Sequence, residues 1–304
     1  MDSVEDKKGT TFFVYKHDGI GKIFLWSTII SKLRSKGKIV LLVATSGIVA
    51  LLLPEGRTTH SCFRIPLDIT DKSTCDIKKG TQLADLIRKM SLIIWDEAPI
   101  ANRYCFEALD RSLKDKDDQS NVEKMFGGMT VALGGDFRQI LPVIPKGKKF
   151  DIMQASLCSS YLWENITVSK LTENMRLKKN DSSTADLDEM FAFDKWLLRI
   201  GKGTSVSEDE SLLQILDDLN LTVDCTPQET ILNVVFRGLC DQTENVEYIR
   251  ERAILTAKND VVHEFNEYII QTLPSEGRHT TVRIQLAKQE ECQMMMMSYI
   301  QLNS

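Results

Sequence analysis

The recurrence of short, apolar, β-rich runs with helical patterns between them is the feature that most constrains the fold. Runs that are apolar on both faces are typical of parallel strands covered on both sides. Alternation of strand and helix predicts a doubly wound α/β domain, which we expect to end near Leu177. The predicted strands are Thr11 to Tyr15, Lys38 to Ala44, Ser91 to Trp95, Met129 to Leu133 and Asn165 to Leu171. The predicted helices between them are Ile23 to Leu33, Gln82 to Met90 and Tyr104 to Leu113.

The rest of the chain has a different character. Residues 178–249 are acidic and polar, with an amphipathic stretch from Phe191 to Ile200, and predict a connector with accessory helices. A second βα signal covers 250–276, where the run Arg-Ala-Ile-Leu-Thr-Ala predicts a strand and Asn259 to Ile270 predicts the helix after it. Residues 277–304 have no recognisable pattern apart from a methionine run, and we expect an atypical tail that a shifted reading frame would explain.

Composition narrows the class of protein. The 304 residues are 42% hydrophobic and 27% charged, as in globular proteins. The formal net charge is -5, so a nucleic acid would have to be bound by local basic clusters. The seven cysteines include no Cys-x-x-Cys pair, which favours buried thiols of an intracellular protein over a zinc or redox site. No apolar run approaches membrane-spanning length, and the N-terminus resembles neither a signal nor a transit peptide.

The turn after the first predicted strand could bind phosphate. An apolar strand, the turn Gly-Ile-Gly-Lys and an apolar helix follow one another, which is the context of a P-loop. In a P-loop, backbone N–H groups cradle the phosphates, a lysine reaches the β- and γ-phosphates, and a Ser or Thr hydroxyl ligates magnesium. Gly19, Gly21 and Lys22 fit these roles, whereas Lys16 replaces the first glycine and Ile23 replaces the hydroxyl residue. Alone, this segment suits a P-loop and an ordinary glycine turn equally well.

Two further strands end in residues that suit the same chemistry. The run Leu-Ile-Ile-Trp-Asp-Glu-Ala-Pro matches a Walker B element, in which Asp96 would hold magnesium through water and Glu97 would polarise the attacking water. The alternative is a strand that ends in a solvated acidic turn. The run Leu-Gly-Gly-Asp-Phe-Arg-Gln places Gln139 where it could sense a γ-phosphate, although Gly-Gly-Asp alone indicates only a strand end. Because the carboxyl ends of parallel strands meet at one sheet edge, the three ends together predict an ATP site.

Several blocks of the chain resemble a known family when they are taken in order. They are VATSGIVALLLPEGRTTHSCFRIP, SLIIWDEAP, YCFEALDRSL, LGGDFRQILPVIPKG, LTENMRL and ERAILTAKN. These blocks are similar to those of the Pif (petite integration frequency) family of ATP-dependent DNA helicases, in the branch found in plants and Helitron-type transposons. The resemblance covers the chain from about Ser3 to about Glu276.

The resemblance carries expectations about fold and activity. It implies a RecA-like P-loop NTPase domain with a parallel sheet over 1–177 and the start of a second RecA-like domain over 250–276. The implied activity is translocation 5′ to 3′ on single-stranded DNA, using ATP and magnesium. The implied processes are DNA repair, recombination and telomere maintenance, and the implied compartment is the nucleus.

The resemblance also assigns roles to individual residues in the ATP site. Lys22 becomes the Walker A lysine, and Asp96 and Glu97 become the Walker B pair. Gln139 becomes the motif III sensor, and Arg176 becomes the motif IV arginine.

A single-stranded DNA track follows from the same alignment. Its hydroxyl and backbone N–H groups would bind phosphates, and Phe63 would stack on a base. Ser46 would serve equally well as a helix cap, and Phe63 as a core residue. The implied DNA-binding residues are Thr45, Ser46 and Gly47 of motif Ia and Arg57, Thr58, His60, Ser61 and Phe63 of the following block.

The chain departs from the family pattern in the phosphate loop. The family loop reads Gly-x-Gly-Gly-Thr-Gly-Lys-Thr, so Lys16, Asp18, Ile20 and Ile23 replace expected residues. Ile23 removes a direct magnesium ligand, and Asp18 adds a negative charge beside the phosphates. The chain also starts just before this loop and ends before motifs V and VI, so we expect a helicase core that is truncated at both ends and impaired in turnover.

Two other functions remain open at this stage. One is a remnant that binds nucleotide or single-stranded DNA without hydrolysing ATP. The other is a different P-loop enzyme such as a small kinase. Motif Ia, the Gly-Asp-Phe-Arg-Gln block and the motif IV arginine argue against a kinase, because a kinase needs no DNA track.

Overall fold

The computed structural model describes residues 2–5, 9–15, 21–114, 122–172, 184–204, 215–216, 219–221, 226–243, 245–256 and 258–273. The chain divides into two compact units, 1–205 and 206–304. The finer division into a connector and the start of a second RecA-like domain stays a prediction.

Six strands in the described part of the first unit form one sheet, in which every neighbouring pair is parallel. Their order is β3-β2-β4-β5-β1-β6. The strands are β1 (Thr11–Tyr15), β2 (Ile39–Ala44), β3 (Arg57–Thr58), β4 (Met90–Asp96), β5 (Thr130–Gly135) and β6 (Thr167–Lys170). The α/β class and the parallel sheet are therefore confirmed. The five strands predicted for the first unit are present, and β3 was missed because two residues are too short to show a periodicity.

The predicted helices are also present. The helices of the first unit are α1 (Asp2–Glu5), α2 (Lys22–Arg34), α3 (Gly47–Leu52), α4 (Thr59–Phe63), α5 (Gln82–Lys89), α6 (Arg103–Lys114), α7 (Lys149–Ala155) and α8 (Thr184–Gly201). Those of the second unit are α9 (Pro227–Val235), α10 (Val246–Arg250) and α11 (Asn259–Thr272). None of the helices in the described residues is both long and apolar enough to span a membrane.

Successive residues of the strands fill two cores, one on each face of the sheet. Phe13 and Ile93 belong to a core that includes the buried face of α6. Val14 and Ile94 belong to the other core, which includes the buried face of α2. The expectation that helices cover both faces is therefore confirmed, and the near-continuous apolar character of the strands is a consequence of this double burial.

The strand that we predicted from the run Arg-Ala-Ile-Leu-Thr-Ala is wrong. Residues 252–256 adopt neither strand nor helix conformation, and Leu255 is 92% exposed. A strand needs a neighbour to accept its backbone hydrogen bonds. The described residues of the second unit contain no strand, so the apolar run has no partner strand among them.

The cysteines follow the prediction only in part. Cys62, Cys75 and Cys105 are buried, and burial raises the pKa of Cys75 to about 11 and that of Cys105 to about 12. Cys158 and Cys240 are exposed. The prediction of buried thiols is therefore wrong for these two, because both lie outside the two cores of the sheet.

Candidate functional site

The carboxyl ends of β1, β4 and β5 meet at one edge of the sheet. Strand β5 lies between the other two, with Tyr15 of β1 opposite Gly135 on one side and Trp95 of β4 opposite Leu133 on the other. The predicted convergence of these three strand ends is confirmed. Because β1 and β4 are not neighbours, a side chain that follows β1 must pass over β5 to reach the end of β4.

The side chain of Lys22, the first residue of α2, passes over β5 and reaches the end of β4. Its ammonium donates a hydrogen bond to Glu97 Oε1 at 2.9 Å and forms an ion pair with Asp96 Oδ1. Lys22 is 3% exposed, Asp96 is 2% exposed and Glu97 is 9% exposed. Transfer of isolated charges out of water costs several kcal/mol per ion. These three charges must therefore compensate one another, and one cation faces two carboxylates.

The pKa of Lys22 reflects two opposing effects. Burial by itself lowers the pKa, because it disfavours the charged ammonium. The charges of Asp96 and Glu97, and the hydrogen bonds to them, more than offset burial, so the pKa of Lys22 lies above its ordinary value. A raised lysine pKa means that this group stabilises the fold fully below the unfolded-state pKa. The contribution is lost only as the pH rises through the folded-state pKa.

Gly134 on β5 makes room for the Lys22–Asp96 pair. A Cβ atom at Gly134 would lie 2.8 Å from Cζ2 of Trp26, 3.0 Å from Oδ1 of Asp96 and 3.3 Å from Cδ of Lys22. Any side chain at this position would therefore displace the ion pair or the indole. The pattern Gly-Gly-Asp predicted only a strand end, so this role of Gly134 was missed. The doubled glycine was the only signal, and it does not say what approaches the strand.

Glu97 has an unusual backbone conformation, with φ 51° and ψ 42°. This left-handed region is uncommon for a residue other than glycine. The Glu97 N–H donates to Asp96 Oδ1 at 3.0 Å, and the Glu97 carbonyl oxygen accepts a hydrogen bond from Thr45 Oγ1 at 2.9 Å. Hydrogen bonds on both sides of the residue therefore hold this conformation.

The glycine-rich loop before α2 matches the P-loop pattern only in part. Gly21 precedes α2 with φ 78°, a conformation that glycine adopts at little cost. Ile23 is 51% exposed and offers no oxygen to a cation. Gly19, together with Lys16, Asp18 and Ile20, lies outside the described residues.

The residues present do not fit a magnesium ion bound in the manner of a P-loop. Such a site needs the Ser or Thr hydroxyl that Ile23 replaces, and the Asp96 carboxylate is already paired with Lys22. Among the described residues, no group of three or more His, Cys, Asp or Glu side chains could hold a metal ion.

Gln139 follows β5 in a turn that Asp136 organises. The Arg138 guanidinium donates from Nε to Asp136 Oδ1 at 2.9 Å and from Nη2 to Asp136 Oδ2 at 2.8 Å. The Gln139 N–H donates to the Asp136 carbonyl at 3.1 Å. Asp136 therefore serves the turn, and Gln139 lies just beyond the carboxyl end of β5. Arg176 lies outside the described residues, and the sensor role of Gln139 stays a prediction.

The two predicted DNA-binding segments are neighbours. Strands β2 and β3 pair in parallel, with Val43 opposite Arg57 and Ala44 opposite Thr58. Motif Ia follows β2 directly, so it meets the second segment at the carboxyl edge of the sheet. Arg57 and Ser61 are exposed, and His60 is half-buried.

Some of these residues have clear structural roles. Ser46 Oγ accepts a hydrogen bond from the Val49 N–H at 3.2 Å and caps α3, whose first residue is Gly47. Thr58 Oγ1 accepts from the Ser61 N–H at 3.4 Å and caps α4. Both contacts are typical of helix N-caps.

Phe63 belongs to the core. Its exposure is 0%, and it packs in the same cluster as Phe13 and Trp95. The structure thus supports the core alternative, because no face of the ring is open for a base to stack on. The prediction that Phe63 stacks on DNA does not fit this burial.

Comparison with known proteins places these features in a family. A family model described as PIF1-like helicase matches residues 1–211. The ATP-dependent DNA helicase Pif1 of Campylobacter jejuni is 31% identical over 173 residues, which cover 52% of this chain and 36% of the relative. The ATP-dependent DNA helicase Pif1 of a Psychrobacter species is 25% identical over 183 residues, which cover 60% of this chain and 27% of the relative.

Solved structures show the same fold. The crystal structure of Pif1 helicase from Candida albicans aligns with a TM-score of 0.57 at 18% identity and covers 96% of this chain and 58% of that chain. The crystal structure of Pif1 helicase from Bacteroides in complex with ADP-AlF3 and ssDNA aligns with a TM-score of 0.52 at 24% identity. That alignment covers 69% of this chain and 46% of the Bacteroides chain. This chain therefore spans only part of the length of its relatives.

Proposed function

Because the chain belongs to the PIF1-like helicase family, we propose that it is the ATP-binding core of a Pif-type ATP-dependent DNA helicase whose hydrolysis is impaired. The intact form of this activity couples ATP hydrolysis to movement 5′ to 3′ on single-stranded DNA. The observation that carries the proposal is the Lys22 ammonium held between Asp96 and Glu97 at the carboxyl edge of a parallel sheet. Ligands of such sheets bind at this edge.

The finer parts of the proposal rest on the family. The similarity of the six sequence blocks supports a place in the plant and Helitron branch. Family membership likewise supports a role in nuclear DNA repair, recombination and telomere maintenance.

Each residue of the site has a task when ATP binds. Lys22 exchanges a carboxylate partner for phosphate oxygens, which frees Glu97 to orient a water molecule. Gln139 senses the γ-phosphate, and Arg176 adds positive charge. Nucleotide binding is weak, because Ile23 offers no oxygen to the cation that accompanies the phosphates.

Titration with a fluorescent ATP analogue, with and without magnesium, tests this site. We expect weak binding that changes little with magnesium, because Ile23 provides no ligand oxygen. Lys32→Met changes a lysine on the exposed side of α2, outside the site, and should leave the nucleotide affinity unchanged. Tight binding that requires magnesium would contradict the proposal.

The DNA surface is tested by fluorescence anisotropy with labelled oligonucleotides. We expect weak binding that prefers single strands to duplex, shows little dependence on base sequence, and falls with salt as counterions are released. Arg57→Ala should weaken this binding. Arg88→Ala removes an equal charge directly before β4 begins, at the opposite edge of the sheet, and should leave the binding unchanged. Equal loss in both variants would indicate attraction by charge alone.

A second candidate function is a remnant that binds nucleotide or single-stranded DNA without hydrolysis. The isoleucine at position 23 favours it. ATP hydrolysis that rises on addition of single-stranded DNA would support the helicase core, and binding without any hydrolysis would support the remnant.

A further inference from the structure

The hydroxyl group of Thr45 is committed to the Walker B segment. Thr45 Oγ1 donates to the carbonyl oxygen of Glu97 at 2.9 Å and accepts the indole N–H of Trp95 at 3.0 Å. The Thr45 N–H also donates to the carbonyl oxygen of Asp96 at 3.3 Å. One residue at the end of β2 therefore contacts three consecutive residues at the end of β4.

The proton count of a hydroxyl decides what Thr45 can do. A threonine hydroxyl has a single proton to donate and two lone pairs to accept with. A DNA phosphate offers only acceptor oxygens, so it needs that proton. Thr45 already donates this proton in its hydrogen bond to the Glu97 carbonyl oxygen. Thr45 can therefore donate a hydrogen bond from its hydroxyl to a phosphate only if its hydrogen bond to the Glu97 carbonyl oxygen breaks.

We propose that Thr45 is a positioning residue for Glu97 rather than a DNA ligand. Glu97 has the left-handed conformation φ 51°, which persists in a residue other than glycine only when its surroundings enforce it. Its carbonyl oxygen receives the Thr45 hydroxyl and a longer bond from the Ile100 N–H at 3.3 Å. The Trp95 indole fixes the direction of the Thr45 hydroxyl, because its N–H occupies one of the two lone pairs.

The Thr45 hydrogen bond also affects the position of the Glu97 carboxylate. This carboxylate reaches Lys22, so a relaxed backbone at Glu97 would loosen the contact between Glu97 Oε1 and Lys22 Nζ. Thr45 therefore acts on the ATP site through Glu97. This inference rests on the proposed function for its meaning in catalysis, although the hydrogen bonds themselves do not depend on it.

Two variants separate positioning from DNA binding. Thr45→Val keeps the side-chain shape and removes the hydroxyl, whereas Thr45→Ser keeps the hydroxyl. The first measurement is the indole N–H resonance of Trp95 in NMR spectra, assigned with Trp95→Phe. The second is the rate at which an amine reagent labels Lys22, followed by mass spectrometry. The third is the affinity for labelled oligothymidine.

We expect Thr45→Val to shift the Trp95 resonance and to accelerate labelling of Lys22, and we expect Thr45→Ser to restore both. DNA affinity should be unchanged in Thr45→Val, whereas loss of a phosphate hydrogen bond would lower it about fivefold. Ser46→Ala is the matched control, since it removes the neighbouring hydroxyl and should not change Lys22 labelling. If Thr45→Val fails to fold, Thr45→Ala carries the same expectations.

Unchanged Lys22 labelling in a folded Thr45→Val protein would overturn the inference, as would a fivefold loss of DNA affinity with the Trp95 resonance unmoved. Failure of the proposed function looks different. In that case the wild-type protein binds neither oligothymidine nor nucleotide, while the resonance and the labelling rate still report whether Thr45 positions Glu97.

Discussion

The two sides of the nucleotide site differ in how strongly the fold constrains them. The acidic side, Asp96 and Glu97 at the end of β4, is buried, and its carboxylates accept hydrogen bonds from Lys22 and from the Glu97 N–H. The loop side, Gly21 to Phe24 at the start of α2, exposes Ile23 to 51% and Phe24 to 78%. Among the described residues, Lys22 connects the two sides, since it starts in α2 and its ammonium lies between the two carboxylates.

Because of this difference, changes on the acidic side should affect the stability of the fold, whereas a change at position 23 should affect only the binding of magnesium. Loss of a group on the acidic side would leave a buried charge without its partner, which is costly for the whole domain. Replacement of the Thr or Ser at position 23 by isoleucine changes an exposed position, where substitutions cost little stability. A chain of this family can therefore lose a magnesium ligand and keep its fold.

The largest effect should come from Lys22→Met. This change removes the cation that pairs with both Asp96 and Glu97 and leaves two carboxylates buried together. Removal of one partner from a buried ion pair costs about 3–5 kcal/mol. Urea denaturation should therefore show a large loss in the free energy of unfolding, whereas Lys32→Met on the exposed side of α2 should show almost none. Equal stability of the two variants would mean that the acidic side is not constrained by burial.

A smaller effect is expected from Gly134→Ala on the central strand. The added Cβ would meet Trp26, Asp96 and Lys22, and overpacking of this kind costs about 1–3 kcal/mol. Gly47→Ala is the control, because nothing lies within 4 Å of a Cβ at Gly47. Thermal or urea denaturation of both variants measures the difference. A Gly134→Ala protein as stable as Gly47→Ala would show that the Lys22 crossing has more room than the structure indicates.

The smallest effect on stability should come from Ile23→Thr. The position is exposed, so the free energy of unfolding should stay within about 0.5 kcal/mol of wild type. Combined with Lys16→Gly and Asp18→Gly, the change should raise nucleotide affinity and make it depend on magnesium, without producing strand separation. Phe24→Thr, on the adjacent exposed residue, should gain no magnesium dependence. Efficient unwinding by the repaired protein would show that its phosphate loop was the only defect.

Several features of the site were predictable because they depend on neighbouring residues in the chain. An apolar run followed by Asp-Glu or Gly-Gly-Asp marks a strand with polar residues at its carboxyl end, and parallel strands bring such ends together. A helix cap at Ser46 was one of two alternatives that the sequence left open, and it could be named for the same reason, since its hydroxyl bonds to an amide three residues further on. The strand predicted from the run that starts at Arg252 is absent over 252–256, because a partner strand, and not only the run's own pattern, decides whether a strand forms.

The sequence by itself determined the five longer strands of the first unit, the helices α2, α5 and α6, and the chemistry placed at the strand ends. Only the tertiary structure decided which groups contact one another. The order β3-β2-β4-β5-β1-β6 puts β5 between the lysine and its carboxylates, and from this follow the need for Gly134 and the buried Lys22 pair. The same packing commits the Thr45 hydroxyl to Glu97 and buries Phe63. The physical reason is that periodicity is local, whereas burial and hydrogen-bond partners depend on strands that are distant in the chain.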